Sequence, residues 1–147
     1  MQLNLGNKQI FFAYHIRSAF KTCELALKDL LEEKNLSPEH FYVLRCDWKP
    51  VETGFEDIKA HAMLTIEEAN EAISDLVSKE YVVRGTKENH YSLSPEGAIV
   101  RNNILELYTA HIAKLTEGIS ENAIESGLSS LLKIQNNIHR NNKTCAN

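Results

Sequence analysis

Cysteine is scarce in this chain, and what there is does not pair. Cys23, Cys46 and Cys145 are odd in number and far apart, with no CxxC among them. That excludes a disulfide framework and a thiolate zinc site, and it fits a reduced cytoplasmic protein. Long apolar runs are missing too: none approaches the roughly 18 residues of a membrane span, so no membrane partner is expected. The opening MQLNLGNKQIFF has neither a basic leader nor a small-residue cleavage site, so secretion is not expected. No GxSxG, HExxH, glycine-rich phosphate loop or paired Cys–His arrangement occurs, so neither an enzyme nor a cofactor is expected. Repeats of 20–50 residues and low-complexity linkers are also absent.

The most telling shortage is of positive charge in the middle. Across all 147 residues the formal charge is −4, with 43% apolar and 24% charged residues, an ordinary mixture for one globular domain. From Glu52 to Glu80, however, eight acids face two bases, Lys59 and Lys79, a balance of −6. The remainder holds 14 bases and 12 acids, or +2.

What is present reads as a run of helices with one hairpin. Lys8 to Lys34 carries Phe12, Ile16, Ala19, Phe20, Cys23, Leu27 and Leu30 at spacings of three and four, one apolar stripe of a long helix. Ser37-Pro38 opens a second helix, to about Trp48, with Ser37 as N-cap and Phe41, Leu44 and Trp48 inward. Lys49 to Gly54 is a turn, and Phe55 to Ala62 a short helix burying Phe55, Ile58 and Ala62. Thr65 caps the next helix, and Glu68 three residues on completes a capping box. Ile66, Ala69, Ile73, Leu76 and Val77 form its buried stripe. Tyr81-Val82-Val83-Arg84, turn residues 85–89 and His90-Tyr91-Ser92-Leu93 make a β-hairpin. Ser94-Pro95 restarts helix to about Glu117, with Ile99, Ile104, Tyr108, Ile112 and Leu115 on one face. A last helix, about Glu121 to Arg140, carries Ile124, Leu128, Leu131 and Ile138. Residues 141–147 read as a frayed tail.

Two short helices, a tight turn and a hairpin make a winged helix-turn-helix, here 37–97. The flanking helices, 8–34 and 98–140, are too long and too apolar on one face for a monomer of this size. They imply a dimerisation body and a homodimer. The fold class is therefore mostly α with a small β-hairpin wing.

LSPEHFYVLR, FEDIKAHAMLTIEEANEAISDLVSKEYVVR and YSLSPEG together resemble the MarR family of bacterial regulators. The likeness covers Leu36 to Gly97 in sequence and nearly the whole chain in helix order. It implies a cytoplasmic, homodimeric transcription regulator that grips double-stranded DNA and answers to a small ligand. The departures are chemical. Where the family commonly sets Ser, Thr and Arg on the reading helix, this chain has Glu67, Glu68, Asn70 and Glu71. Its wing, GTKENHYS, is short and has no arginine at the tip, and Glu80 stands where a glycine is common.

Protein–DNA affinity comes largely from cations that neutralise phosphates, so an acidic reading helix works against the usual mode. Glutamate can accept from cytosine N4, and Asn70 can pair with adenine N6 and N7. The same acids also suit the positive end of a helix dipole. If DNA is bound, the expected contacts are Lys59, Asn70, Arg84, Lys87 and His90. The alternative is a winged helix that has lost groove reading and acts through protein contacts, as an antirepressor or partner subunit, with the acidic face on a basic surface.

The resemblance also implies a ligand crevice, for which Tyr14, His15, Arg17, Phe41 and Trp48 are the candidates, Arg17 meeting an anion. The bland reading is packing, with Arg17 a solvated charge. Glu39-His40 and His111 match the positions of zinc-sensing relatives but are too few for a closed site, so no metal is expected. Cys23 lies on the apolar stripe and reads as an inert small hydrophobe.

Overall fold

The computed structural model describes residues 5–144, with side chains from 7 to 137. Its elements are α1 (Leu5–Glu32), α2 (Pro38–Leu44), β1 (Thr53–Gly54), α3 (Phe55–Ala62), α4 (Ile66–Ser78), β2 (Val82–Arg84), β3 (His90–Leu93), α5 (Pro95–Leu115) and α6 (Glu121–Thr144). The chain divides between Ile112 and Ala113 into two compact units. The first carries α1 to most of α5, and the second is essentially α6. The helix extends to Thr144, past the point where fraying is expected. Residues 145–147, with Cys145, and the Ile138 side chain lie outside the described residues.

Local chemistry sets the boundaries of the reading head. Ser37 accepts from the His40 amide, and His40 Nδ1 accepts from the Ser37 amide at 2.8 Å, a capping box with histidine in the place of Glu or Gln. α2 is shorter than its apolar spacing predicts. It stops at Leu44, and Trp48 folds back so that its indole Nε1 donates to the Leu44 carbonyl at 3.0 Å. The indole thus satisfies one of the orphan carbonyls at the helix end. Met63, in the left-handed region at φ 56°, ends α3 and turns the chain into α4. Thr65 and Glu68 form the expected capping box of α4. The far end closes with Glu80 at φ 61° and Tyr81 N–H on Leu76 O at 3.0 Å. That is a Schellman closure, which explains why a glycine is common here and why Glu80 is conformationally costly.

Three strands form an antiparallel sheet in the order β1-β3-β2. Thr53 pairs with Tyr91, and Val82 with Leu93. The β1 strand is a two-residue addition to the expected hairpin, too short to give an alternation signal. At the end of the sheet, Tyr81 O accepts from Ser94 N and Ser94 Oγ. A Cβ on Gly97 would stand 2.0 Å from that carbonyl, so only glycine lets α5 start so close.

The core of the first unit joins Leu27 and Leu31 of α1, Phe41 and Leu44 of α2, Ile58 of α3, Leu76 of α4, Val82 of β2 and Ile104 of α5. Several expected inward residues depart from this. Ile66, at the first position of α4, is 54% exposed, and Ala72 is buried in its stead. On α1 only the last turns are covered. Phe12 and Phe20 of the expected stripe are exposed, and Leu31 is buried beside Leu27. Ile99 and Leu115 of α5 are exposed, as are Ile124, Leu128 and Leu131 of α6.

Candidate nucleic-acid interface

α4 buries Ala69, Ala72, Ile73 and Leu76 against the head and leaves Glu67, Asn70, Glu71, Ser74 and Ser78 exposed. The wing stands on the sheet with β2 and β3. This is the arrangement in which a helix enters a groove and a hairpin touches the flanking backbone.

The acids of α4 divide into two kinds. Glu68 bonds to Thr65 N at 2.8 Å and Thr65 Oγ1 at 3.0 Å, and these bonds lower its pKa. Asp75 takes Lys79 Nζ at 2.7 Å and His40 Nε2 at 2.9 Å, and the Lys79 bond chiefly lowers its pKa. Both serve the fold. Glu67 and Glu71 remain exposed on the outer face.

His40 ties α2 to α4. Its Nδ1 accepts from Ser37 N, so the proton sits on Nε2 and is donated to Asp75. Burial lowers its pKa and outweighs the attraction of the Asp75 carboxylate. Beside this tie lies a shallow cleft of about 360 Å³ lined by Ser37, Glu39, His40, Glu68, Glu71 and Ala72. Among the described residues no group of three or more side chains is placed to hold a metal ion.

The cations are largely spoken for. Between 37 and 97 there are six lysines and arginines. Lys59 pairs with Glu56 at 2.5 Å, Lys79 with Asp75, and Lys49 with Asp57. Arg84 lies 6.0 Å from the Tyr91 ring centroid, a cation–π distance. Lys87 is exposed in the wing turn. His90 donates from Nδ1 to Glu88 O at 2.8 Å, and its ring packs against Gly54. The structure thus brings Arg84, Lys87 and His90 together on the wing. It places Asn70 on the outer face of α4 and holds Lys59 on α3 in its own ion pair.

The ligand-crevice candidates scatter. Tyr14 and Arg17 are exposed on α1, with Tyr14 edge-on to His15. Phe41 is fully buried, 5.8 Å from the Tyr108 ring, and Trp48 is half-buried as the cap of α2. Of the cysteines, Cys46 is buried with its thiol pushed up to about 11 by desolvation, an inert setting, and Cys23 is half-buried.

One contact at the wing escapes sequence reasoning. Glu52, counted there only as negative charge, reaches the wing turn 34 residues on and accepts from Thr86 N at 2.5 Å and Thr86 Oγ1 at 2.8 Å. No periodicity or motif links residues so far apart.

A helix-turn-helix with its hairpin, carried between long helices, defines the class: a winged-helix protein. The comparisons sharpen this. No family profile matches the sequence, and no curated protein matches it. Solved structures do. The transcriptional regulator BldR from Sulfolobus solfataricus is similar at a TM-score of 0.79 and 16% identity, over 92% of this chain and 99% of that one. A MarR-family transcriptional regulator from Silicibacter pomeroyi gives 0.78 and 16%, over 94% and 97%. A MarR-family protein from Bacillus stearothermophilus gives 0.74 and 14%, over 94% and 99%. The chain has the winged-helix fold of the MarR-family regulators, reached at identities too low for residue roles to carry over. No helix among the described residues is long and apolar enough to cross a membrane.

Proposed function

We propose that this protein is a transcription regulator that binds duplex DNA as a homodimer. The observation that carries the reading is the outer face of α4 beside a wing bearing Arg84 and Lys87, on the fold shared with known regulators. Arg84, Lys87 and His90 supply the phosphate contacts, with Lys59 joining once it leaves Glu56. Asn70 reads a base edge, and Glu67 and Glu71 accept from exocyclic amines. Support for the dimer is the exposed apolar side chains of α1, Ile10, Phe11, Phe12 and Phe20 among them, and of α6, Ile124, Leu128, Leu131 and Leu132. The same reading extends to a bacterial, cytoplasmic setting and to control by a small ligand.

The test is a titration with random duplex at two salt concentrations. Replacing Glu67→Ser with Glu71→Arg tightens binding and steepens its salt dependence, the arginine gained adding about one to the slope and the loss of two carboxylates adding to it. No change places those side chains away from the DNA and overturns the register.

A second reading has its own observation. Met63 is 80% exposed at the turn before α4, next to exposed Ile66 and Glu67. An apolar patch ringed by acids suits a basic protein surface, as in an antirepressor or partner subunit. That reading predicts no duplex affinity at low salt in the native protein or in the double variant.

A further inference from the structure

The wing turn contains a second binding arrangement. Thr86 N, Thr86 Oγ1 and Lys87 N converge on one point, and the Glu52 carboxylate sits there. Oε1 accepts from Thr86 N at 2.5 Å and Thr86 Oγ1 at 2.8 Å, and Oε2 from Lys87 N at 3.3 Å. Consecutive backbone N–H groups in a turn form a concavity selective for anions. The carboxylate packs over Gly85, where a Cβ would come 2.6 Å from its carboxyl carbon. Among the described residues no lysine or arginine forms an ion pair with Glu52. Three neutral donors do, and they lower its pKa. Its backbone is fixed on both sides. Val51 O accepts from Ser92 Oγ at 2.7 Å, and buried Thr53 accepts from Lys49 N at 2.9 Å. The carboxylate can therefore leave by side-chain rotation alone, with the strand in place.

We propose that the wing turn is a phosphate site formed by Thr86 and Lys87, and that Glu52 closes it by occupying the phosphate's position. A carboxylate and a phosphodiester each present two oxygens to such donors, so one replaces the other. The site's natural occupant is a nucleic-acid backbone phosphate, which rests on the duplex-binding reading above. The Lys87 ammonium and Arg84 guanidinium in the same hairpin add the charge that favours the exchange. A wing with no arginine at its tip thus keeps a backbone contact, held shut until the carboxylate swings out.

The experiment uses the full chain labelled with 15N, as the native protein and as Glu52→Ala, Glu52→Gln and Glu88→Gln. Inorganic phosphate is added at constant ionic strength. Saturable shifts of the Thr86 and Lys87 amides are expected in Glu52→Ala, at least tenfold weaker in the native protein and in Glu88→Gln. Glu52→Gln keeps an acceptor in the turn, so it preserves the wing if the alanine variant loosens it, and it gives intermediate binding. With random duplex at low salt, Glu52→Ala tightens binding roughly tenfold and steepens the salt slope by about one, well beyond Glu88→Gln, which removes the same charge from the same turn. Absence of Thr86 and Lys87 shifts in both Glu52 variants overturns the site. Equal gains from Glu52→Ala and Glu88→Gln overturn the exchange and leave only charge. Phosphate shifts without duplex binding in any variant uphold the site and remove the duplex reading instead.

Discussion

The reading head and the last helix solve opposite problems. In the head, five short elements, α2, α3, α4, β2 and β3, contribute to one core. Leu44, Ile58, Leu76 and Val82 are all at 0% exposure, and both ends of α2 and of α4 are closed by a capping box, the Trp48 indole or a Schellman turn. In α6 no described side chain is buried, and Leu128 is 56% exposed although the leucines recur on one face. The head closes on itself, whereas α6 is an amphipathic helix whose apolar side has nothing of its own unit to cover it. Helices of this kind gain their stability from packing rather than propensity. The contrast teaches where the chain is complete and where it waits for another surface, which the homodimer would supply.

The comparison breaks most sharply with a pair of leucines. Leu76→Ala in the head costs about 2–5 kcal/mol, because it deletes fully buried methyl groups and leaves a cavity. The loss is read by urea unfolding and does not depend on protein concentration. Leu128→Ala costs much less in dilute solution, and its effect grows with concentration as assembly becomes linked to folding. If Leu128→Ala is as costly as Leu76→Ala at every concentration, α6 is a structural part of the monomer and the contrast fails.

A smaller effect tests the local logic of α4. Thr65→Ala removes the hydroxyl that accepts from Glu68 N at 3.2 Å and donates to the Glu68 carboxylate at 3.0 Å, leaving that carboxylate only the backbone N–H of residue 65. A loss of about 1 kcal/mol is expected from thermal unfolding. Because Glu68 is then held at its own helix end by one bond in place of two, duplex binding weakens slightly in the same variant through added repulsion. Unchanged duplex affinity would mean that the start of α4 is remote from the phosphates.

The sequence carries a good part of this architecture, and the reasons are physical. Capping boxes are local, so Ser37 and Thr65 announce their helices within three residues. The apolar period marks α3 from Phe55 to Ala62 with the ends that the structure has. Where a contact spans the chain, the signal fades. The Trp48 cap that shortens α2, the two-residue β1 strand and the reach of Glu52 to Thr86 all join residues that no window of helical or strand period contains. The electrostatics were half legible. Counting acids on α4 finds the charge, but only coordinates separate Glu68 and Asp75, held in bonds, from Glu67 and Glu71 on the outer face.

The finest test concerns His40, which joins the cap of α2 to Asp75 of α4. Its neutral ring uses both nitrogens, Nδ1 as acceptor from Ser37 and Nε2–H as donor to Asp75. Protonation places a hydrogen on Nδ1, against the Ser37 N–H, and breaks the capping box. Burial of the ring holds the folded-state pKa below the ordinary 6.5, and the Ser37 N–H at Nδ1 opposes protonation in the same sense. In the window beneath 6.5 the unfolded chain binds the proton more readily than the native one, so stability is full above that value and falls as the pH drops through the lowered pKa. Asp75, also lowered, adds its own loss only from the carboxylate range downward. Glutamine is a natural capping-box partner at this helix position, accepts from Ser37 through its carbonyl and does not titrate. His40→Gln should cost about 1 kcal/mol or less at neutral pH, where the Asp75 bond is weakened. It should also flatten the difference in stability between pH 7 and pH 5 relative to the native protein. An unchanged pH profile would assign the acid sensitivity to other groups and leave His40 a cap alone.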